Sequence, residues 1–372
     1  MSQDSPSLWN DFRTSHAADP VKTPRREFLK ATTAAILASG MAPAFVGAQD
    51  KAGTSNTIIG EGEHQYELIH NWGERPEGMY YRNTHGVAID SQGLIYMIHQ
   101  GHADRPVDTI LVFDPEGKFV WSFGQEHCGG GHGIDIRNED GQDFIYVCDI
   151  GNYQVVKYDT RGEWVYKLRY PRQAGVYGQV NRYQPTNLCF GPDGGFYVGD
   201  GYGSHYIHQY DKNGGWVRTW GGRGRAPGQL DTPHGLHFDN RPGREPSLVV
   251  ADRGNARLQI FTPDGEHIRF IEGMLYPANI DLKGDKLLVS DLYARLVILD
   301  IDNNVEQYIA YDEAWSTAVS PRPRPYYDLP ADQLPTGKLI YPHDGTWDAA
   351  GNIFVPEYLA VGRLNKLRHV DA

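Results

Sequence analysis

Cysteine is scarce in this chain, with Cys128, Cys148 and Cys189 the only three among 372 residues. An odd number allows at most one intramolecular disulfide, which excludes a small disulfide-stapled scaffold. Long apolar runs are also missing. No stretch reaches the roughly 18 apolar residues of a spanning helix, so no membrane span is expected in the mature protein. Positive charge is short as well: 35 Lys and Arg against 47 Asp and Glu leave −12. Without a Lys/Arg stripe, nucleic acid is not expected as a partner. What the chain has in quantity is 43 Gly, 23 Pro, 23 Tyr and 8 Trp. Turn formers and aromatics in that mix favour many short strands over long helices.

The first fifty residues read as an export signal. Thr23-Pro24-Arg25-Arg26-Glu27-Phe28-Leu29-Lys30 resembles a twin-arginine signal, and a weakly apolar, Ala-rich stretch follows from Ala31 to Gly47. Val46-Gly47-Ala48 before Gln49 offers a small residue for cleavage. Pro43 and Gly47 would break an amphipathic helix opening the mature domain. The expected organisation is a signal over 1–48, a linker over 49–64 and one domain over 65–372, acting in the periplasm or outside the cell. Export of an already folded protein fits one whose metal is chosen inside the cell. No cysteine sits at the cleavage site, so a lipid anchor is not indicated.

Several stretches of the remainder stack on one another. Ile145 to Asp149 leads through Gly151-Asn152 to Val155–Asp159, and Phe196 to Asp200 leads to Ile207–Asp211. Leu248 to Asp252 leads through Gly254-Asn255 to Leu258–Phe261, and Leu287 to Asp291 leads to Leu296–Asp300. Each is an apolar strand, a turn opened by Asp and a second apolar strand. Period-two alternation is taken here to mark half-buried strands. The copies start at His85, His132, Thr186, His234, Ala278 and His343, at intervals of 47, 54, 48, 44 and 65 residues. About four strands per unit at that spacing predict a six-bladed β-propeller of NHL-repeat type. The last blade, from Pro342, lacks an outer strand. Tyr66 to Gly73 is expected to supply it and close the ring, removing open sheet edges. The long intervals leave an irregular loop over 169–184 and a Pro-rich one over 310–341, the latter either a lid or a solvated excursion.

The first strand of a propeller blade lines the central channel. Four blades open it with a histidine: Thr84-His85-Gly86, Gly131-His132-Gly133, Pro233-His234-Gly235 and Pro342-His343-Asp344. Blades two, four and six lie a third of a turn apart, so His132, His234 and His343 should converge at the channel mouth. Three imidazoles with an open fourth position suit a catalytic zinc. His85, in the same phrase of blade one, keeps open the alternative of a histidine that only caps a strand. Asp344 brings an acidic oxygen into the channel near the carbonyls of Val87 and Ile134. An all-oxygen set of that kind suits calcium.

These residues resemble peptidyl-α-hydroxyglycine α-amidating lyase, the half of the peptide-amidating system that splits α-hydroxyglycine peptides into a peptide amide and glyoxylate. The similarity runs over about residues 84–368. It is most specific from Gln184-Pro185-Thr186 through Asp200-Gly201-Tyr202, at Gly228-Gln229 and Pro233-His234, and over Val250 to Arg253. The resemblance implies a six-bladed propeller with zinc on His132, His234 and His343. It also implies calcium at Asp344 with the Val87 and Ile134 carbonyls, a catalytic Tyr202 and an active-site Arg253. A phenol titrates near 10 unperturbed, so a nearby cation would be needed for Tyr202 to act as base. Tyr202 can also be read as a turn aromatic packed between blades, and Arg253 as half of an ordinary turn ion pair.

One departure stands out. Where the family carries a substrate-binding arginine after the histidine at His99, this chain has Gln100, which cannot grip a carboxylate bidentately. Arg105 or Arg82 is the candidate substitute. The family's disulfide cysteines are also missing, with Gly203 where one is expected. The first functional reading is therefore a zinc-dependent lyase cleaving a C–N bond at a hydroxylated carbon of a small or peptide substrate. The second is a metal-dependent hydrolase of another exported small substrate, such as a sugar derivative or lactone. The third is a non-enzymatic NHL binding module.

Overall fold

The computed structural model describes residues 57–178 and 183–370. The export signal expected over 1–48 lies outside the described residues. Six antiparallel sheets carry the chain. Their inner strands are Thr84–Ile89, Gly131–Glu139, Asn187–Phe190, Pro233–Asp239, Pro277–Lys283 and the short Thr346–Trp347. Each inner strand packs on the next, and Thr346–Trp347 packs on Thr84–Ile89, so the ring closes around a channel. The fold is a six-bladed β-propeller, as the repeat spacing predicts.

Closure follows the expected route. Tyr66–Ile69 pairs antiparallel with Arg363–His369, from Tyr66 opposite His369 to Ile69 opposite Lys366. The strand stops earlier than Gly73, because Asn71 takes a left-handed conformation (φ 53°). Trp72 then wedges between Phe354 of the last blade and Phe113 of the first, with centroids 4.6 and 5.8 Å away. Thr57–Ile59, inside the expected linker, adds a fifth strand outside Tyr66–Ile69.

The middle strands correct the half-buried reading. Ile95–His99, Ile110–Phe113, Arg257–Phe261 and Arg295–Leu299 are buried at every position. Adjacent blades cover both faces of each sheet, so these strands read as apolar runs and not as alternations. The outer strands show a wet face, with Trp164 and Val165 exposed. The turns into them share one chemistry. The carboxylate of Asp114 accepts from the Glu116 and Lys118 amides at 3.1 and 2.8 Å, and Asp211 accepts from Asn213 and Gly215 at 2.8 and 2.9 Å. Gly117 and Gly214 take the positive φ that such a turn demands (90° and 83°).

The Pro-rich segment 310–341 is an irregular loop anchored by one helix and a few buried side chains, with residues 321–323 and 331–333 exposed. Asp312 caps the helix Glu313–Val319 by accepting from the Trp315 amide at 3.0 Å. Val319, Ile340 and Tyr341 are buried in one cluster with Leu292, Ala294 and Leu359 of blades five and six. Trp315 Nε1 donates to the Leu339 carbonyl at 2.7 Å. All three cysteines are free. Among the described residues, no helix is long and apolar enough to cross a membrane.

Candidate metal centre at the channel mouth

Three local devices aim the inner-strand histidines. The first is a register irregularity between Thr84 and Gly86, Gly131 and Ile134, Pro233 and Leu236, and Pro277 and Asn279. Irregularities of this kind re-aim side chains, and these fall on His85, His132, His234 and Ala278. The second is a buried acid at the end of the blade's second strand. Asp200, Asp252 and Asp291 accept from the backbone amides of Gln184, Asp231 and Tyr276 at 2.7, 2.6 and 2.6 Å. Glu357 does the same for Ile340 and Tyr341. The Asp residues that the repeat marks as turn openers thus also hold the segment leading into the channel. The third is glycine after histidine. A Cβ on Gly133 would lie 2.6 Å from the Thr186 carbonyl oxygen, and one on Gly235 would lie 2.5 Å from that of Ala278.

Those two carbonyls orient the rings. His132 Nδ1 lies 2.6 Å from the Thr186 oxygen, His234 Nδ1 lies 2.7 Å from that of Ala278, and His343 Nδ1 lies 2.9 Å from that of His85. Each even-numbered blade thereby donates a ring N–H to the next blade's inner strand, which leaves each Nε2 as an acceptor lone pair facing the axis. The centroids of His132, His234 and His343 are 4.7 to 4.9 Å apart. Burial, with the Arg253 charge nearby, holds His132 down at about 3 and His234 and His343 well below the usual histidine range. Neutral imidazoles with inward lone pairs are the form a metal takes up.

His85 joins this group, with its centroid 4.3 Å from His132 and 4.4 Å from His343. One ligand nitrogen from each of His85, His132 and His343 lies within 4.8 Å of the other two, a triad that shares two members with the expected one and has His85 in place of His234. His132, His234 and His343 share a feature of their own: a backbone carbonyl sets the same tautomer in each. His85 has no such carbonyl. Its Nδ1 faces His343 Nε2 at 3.2 Å, and its buried Nε2 has no aligned hydrogen bond although the Gln100 amide stands beside it. Four buried neutral imidazoles, one with an orphaned nitrogen, fit the zinc that the sequence implies.

Tyr202 stands over the triad, its hydroxyl 3.0 Å from His234 Nε2 and 3.3 Å from His132 Nε2. Gly201 permits this, since a Cβ there would lie 2.4 Å from the Pro233 carbonyl oxygen. The Arg253 guanidinium is 5.1 Å from the Tyr202 ring centroid. It is 5% exposed, pairs with no carboxylate among the described residues, and leaves its Nε without a partner. The turn ion pair in this motif belongs to Arg257, which grips Asp252 at 2.8 Å. Gln100 donates to the Gly129 carbonyl and accepts from Asn83. Arg105 packs over Tyr80 on an exposed turn, and Arg82 engages His102. Neither makes contact with the imidazoles.

Below the histidines, Val87 and Ile134 line a cavity of about 190 Å³ together with Asp135, His237, Asn279 and Asp281. Asp344 accepts from the Val87 amide at 3.0 Å and from Asn279. The Val87 carbonyl accepts from Thr346 Oγ1 at 3.0 Å. Burial raises Asp135 to about 8, with Asp281 and Asp344 adding to the effect, and raises Asp344 to about 7. The buried Asp344, with the half-buried Asp135 and Asp281, supplies oxygen donors of the kind that the implied calcium takes. The sequence reading missed Asp135, His237 and Asp281, although a signal was there. Each stands three residues after the position of His132, His234 or Ala278.

No model of a known protein family matches the chain. Over 226 residues it is 31% identical to peptidylglycine alpha-amidating monooxygenase of Rattus norvegicus, a match covering 52% of this chain and 22% of that protein. It is 29% identical over 211 residues to NHL repeat-containing protein 3 of Homo sapiens, covering 54% of this chain and 57% of that one. It is also 27% identical over 156 residues to a probable peptidyl-alpha-hydroxyglycine alpha-amidating lyase of Caenorhabditis elegans, covering 41% and 43%. The chain thus spans about a fifth of the monooxygenase relative and roughly half of the other two. Its relatives include amidating enzymes and NHL-repeat proteins. Among solved structures, a gluconolactonase from Xanthomonas campestris aligns with a TM-score of 0.54 at 15% identity, covering 85% of this chain and 96% of that one. Virginiamycin B lyase from Staphylococcus aureus aligns at 0.51 and 12%, covering 82% and 100%. Both likenesses speak to the fold alone.

Proposed function

We propose that this protein is a zinc-dependent lyase acting after export, which cleaves the C–N bond at a hydroxylated carbon in the manner of an amidating lyase. One observation carries the reading: three imidazoles from alternate blades share a carbonyl-fixed tautomer and point their Nε2 atoms inward under the Tyr202 hydroxyl. The similarity to amidating enzymes supports the same reaction class.

His132, His234 and His343 would hold the zinc, which when bound supplies Lewis acidity toward the oxygen on the reacting carbon. Tyr202 is placed to take the hydroxyl proton. The O–H electron pair becomes the carbonyl π bond, and the C–N pair leaves on nitrogen. Returned to nitrogen, the same proton completes the amide, so the step needs no net acid or base. Arg253 lies beside the Tyr202 ring, where its charge faces the same site. Asp344 with the Val87 and Ile134 carbonyls would hold a structural calcium tying blade six to blades one and two.

Zinc content of the purified protein beside His234→Ala tests the centre, and the variant should lose most of its metal. Glyoxylate release from an α-hydroxyglycine peptide tests the reaction. Tyr202→Phe should lower it about 100-fold or more, as expected for a general base, and unchanged turnover would remove Tyr202 from the chemistry. Gln100 favours one competing reading, a metal-dependent hydrolase of a less anionic substrate. Bound zinc without glyoxylate release would select it.

A further inference from the structure

Arg253 is not the only cation at the mouth. The cap over 310–341 brings two more, Arg322 and Arg324. Arg253 and Arg322 lie 4.9 and 5.0 Å from the centroid of the Tyr276 ring, and Arg322 also donates to the Tyr276 hydroxyl. Arg324 lies 5.1 Å from the centroid of Tyr358, whose ring is 5.5 Å from His85 and 6.1 Å from His343. Among the described residues, none of the three arginines pairs with a carboxylate. The Nε atoms of Arg253 and Arg324 are buried without a hydrogen-bond partner. Arg253 is buried, and burying a guanidinium without a countercharge costs free energy, while the half-buried Arg324 and the exposed Arg322 stand beside it open to a ligand, so the arrangement calls for an anion.

We propose that Arg322 and Arg324, carried by the inserted cap, join Arg253 to form a carboxylate-binding subsite beside the histidine centre. The subsite takes over the anionic grip that Gln100 cannot provide. Its ligand class is a carboxylate attached to, or next to, the reacting carbon. That last point rests on the proposed lyase reading, whereas the grip itself does not. Guanidinium groups suit this task because their planar donor forks match a carboxylate. The cap is thereby a source of substrate specificity as well as packing. Its position is fixed by Tyr327, whose hydroxyl donates to Asn83 at 2.7 Å and whose ring stacks on Tyr358 at 4.9 Å.

The probe is N-benzoylglycine, a carboxylate without the reacting hydroxyl, compared with N-benzoylglycinamide by titration calorimetry on the purified full-length protein. Wild type should bind the carboxylate more tightly than the amide, and less tightly as salt rises. Arg322→Gln/Arg324→Gln should weaken carboxylate binding by about tenfold, a modest figure for partly exposed ion pairs. Amide binding and zinc content should stay as in wild type. Arg322→Lys/Arg324→Lys should retain an intermediate affinity. Equal carboxylate affinity in wild type and the double Gln variant would overturn the proposal. So would a wild type that binds the amide as tightly as the acid. Failure of the lyase reading looks different: carboxylate binding persists while zinc or glyoxylate release is missing.

Discussion

Gly133→Ala tests how the centre is held together without touching a metal ligand. The added Cβ would stand 2.6 Å from the Thr186 carbonyl oxygen, 2.7 Å from Asn187 Oδ1 and 3.0 Å from Asn187 Cα. Two of these three atoms are backbone, so the inner strands of blades two and three must part. The carbonyl that has to retreat is the one bonded to His132 Nδ1 at 2.6 Å. Overpacking of this kind costs about 1–3 kcal/mol and the strained hydrogen bond about 1 more. At this chain length that lowers the melting temperature by about 3–6 °C. Zinc affinity should fall about 10- to 100-fold, as when an outer-shell partner is lost. Gly235→Ala, facing the Ala278 carbonyl at 2.5 Å, should behave alike.

Two glycine controls isolate the effect. Gly178→Ala meets nothing within 4 Å and should change neither quantity. Gly265→Ala drives into the Trp220 ring at 2.5 Å, far from the histidines, and should cost stability while the folded protein keeps its zinc affinity. Melting curves and zinc competition with a chelator read both quantities. A Gly133→Ala protein with wild-type zinc affinity would refute the claim that blade-to-blade carbonyls set the imidazoles.

Three further outcomes follow from the same coordinates. His85→Asn should keep zinc while His234→Ala loses it, and the reverse order, measured by metal analysis, would hand the third ligand position to His85. Glu357→Ala should destabilise the fold by about 3–5 kcal/mol in denaturant titrations, because it strands Arg363, which is 2% exposed, and frees the Ile340 and Tyr341 amides. A loss below about 1 kcal/mol would show that the closing blade does not depend on this acid. His208 is fully buried, and burial holds it at about 3. The unfolded chain therefore binds a proton that the folded one refuses. Stability from this group is present above pH 6.5 and is lost as pH falls toward 3, by up to about 1.4 kcal/mol per unit. His208→Gln should flatten the fall in melting temperature between pH 6 and 4, and identical slopes would refute the assignment.

How much of this was legible in the residues depends on whether a feature repeats. The phrases around His132, His234 and His343 recur at blade spacing, so ring symmetry alone brings residues 102 or more positions apart onto one axis. The same symmetry contains the acids beneath them, since Asp135, His237 and Asp281 share one offset from the start of their blades. They are less legible because they carry no shared phrase: the three positions hold Asp, His and Asp. Closure by Tyr66–Ile69 was legible too, because a blade short of a strand and an unassigned apolar segment can be matched by counting. The cap was not. Residues 310–341 occur once, so no second copy sets their phase, and their prolines read as irregular chain. What orders them is tertiary: Ile340 and Tyr341 are clamped by Glu357, and Tyr327 is pinned to Asn83 and Tyr358. Arg322 and Arg324 become interpretable only once that anchoring places them beside Arg253. A repeat thus announces what all copies share, whereas specificity resides in the segment that only one copy has. Sequence reasoning on a propeller should therefore treat its longest unrepeated interval as the first place to look for substrate contacts.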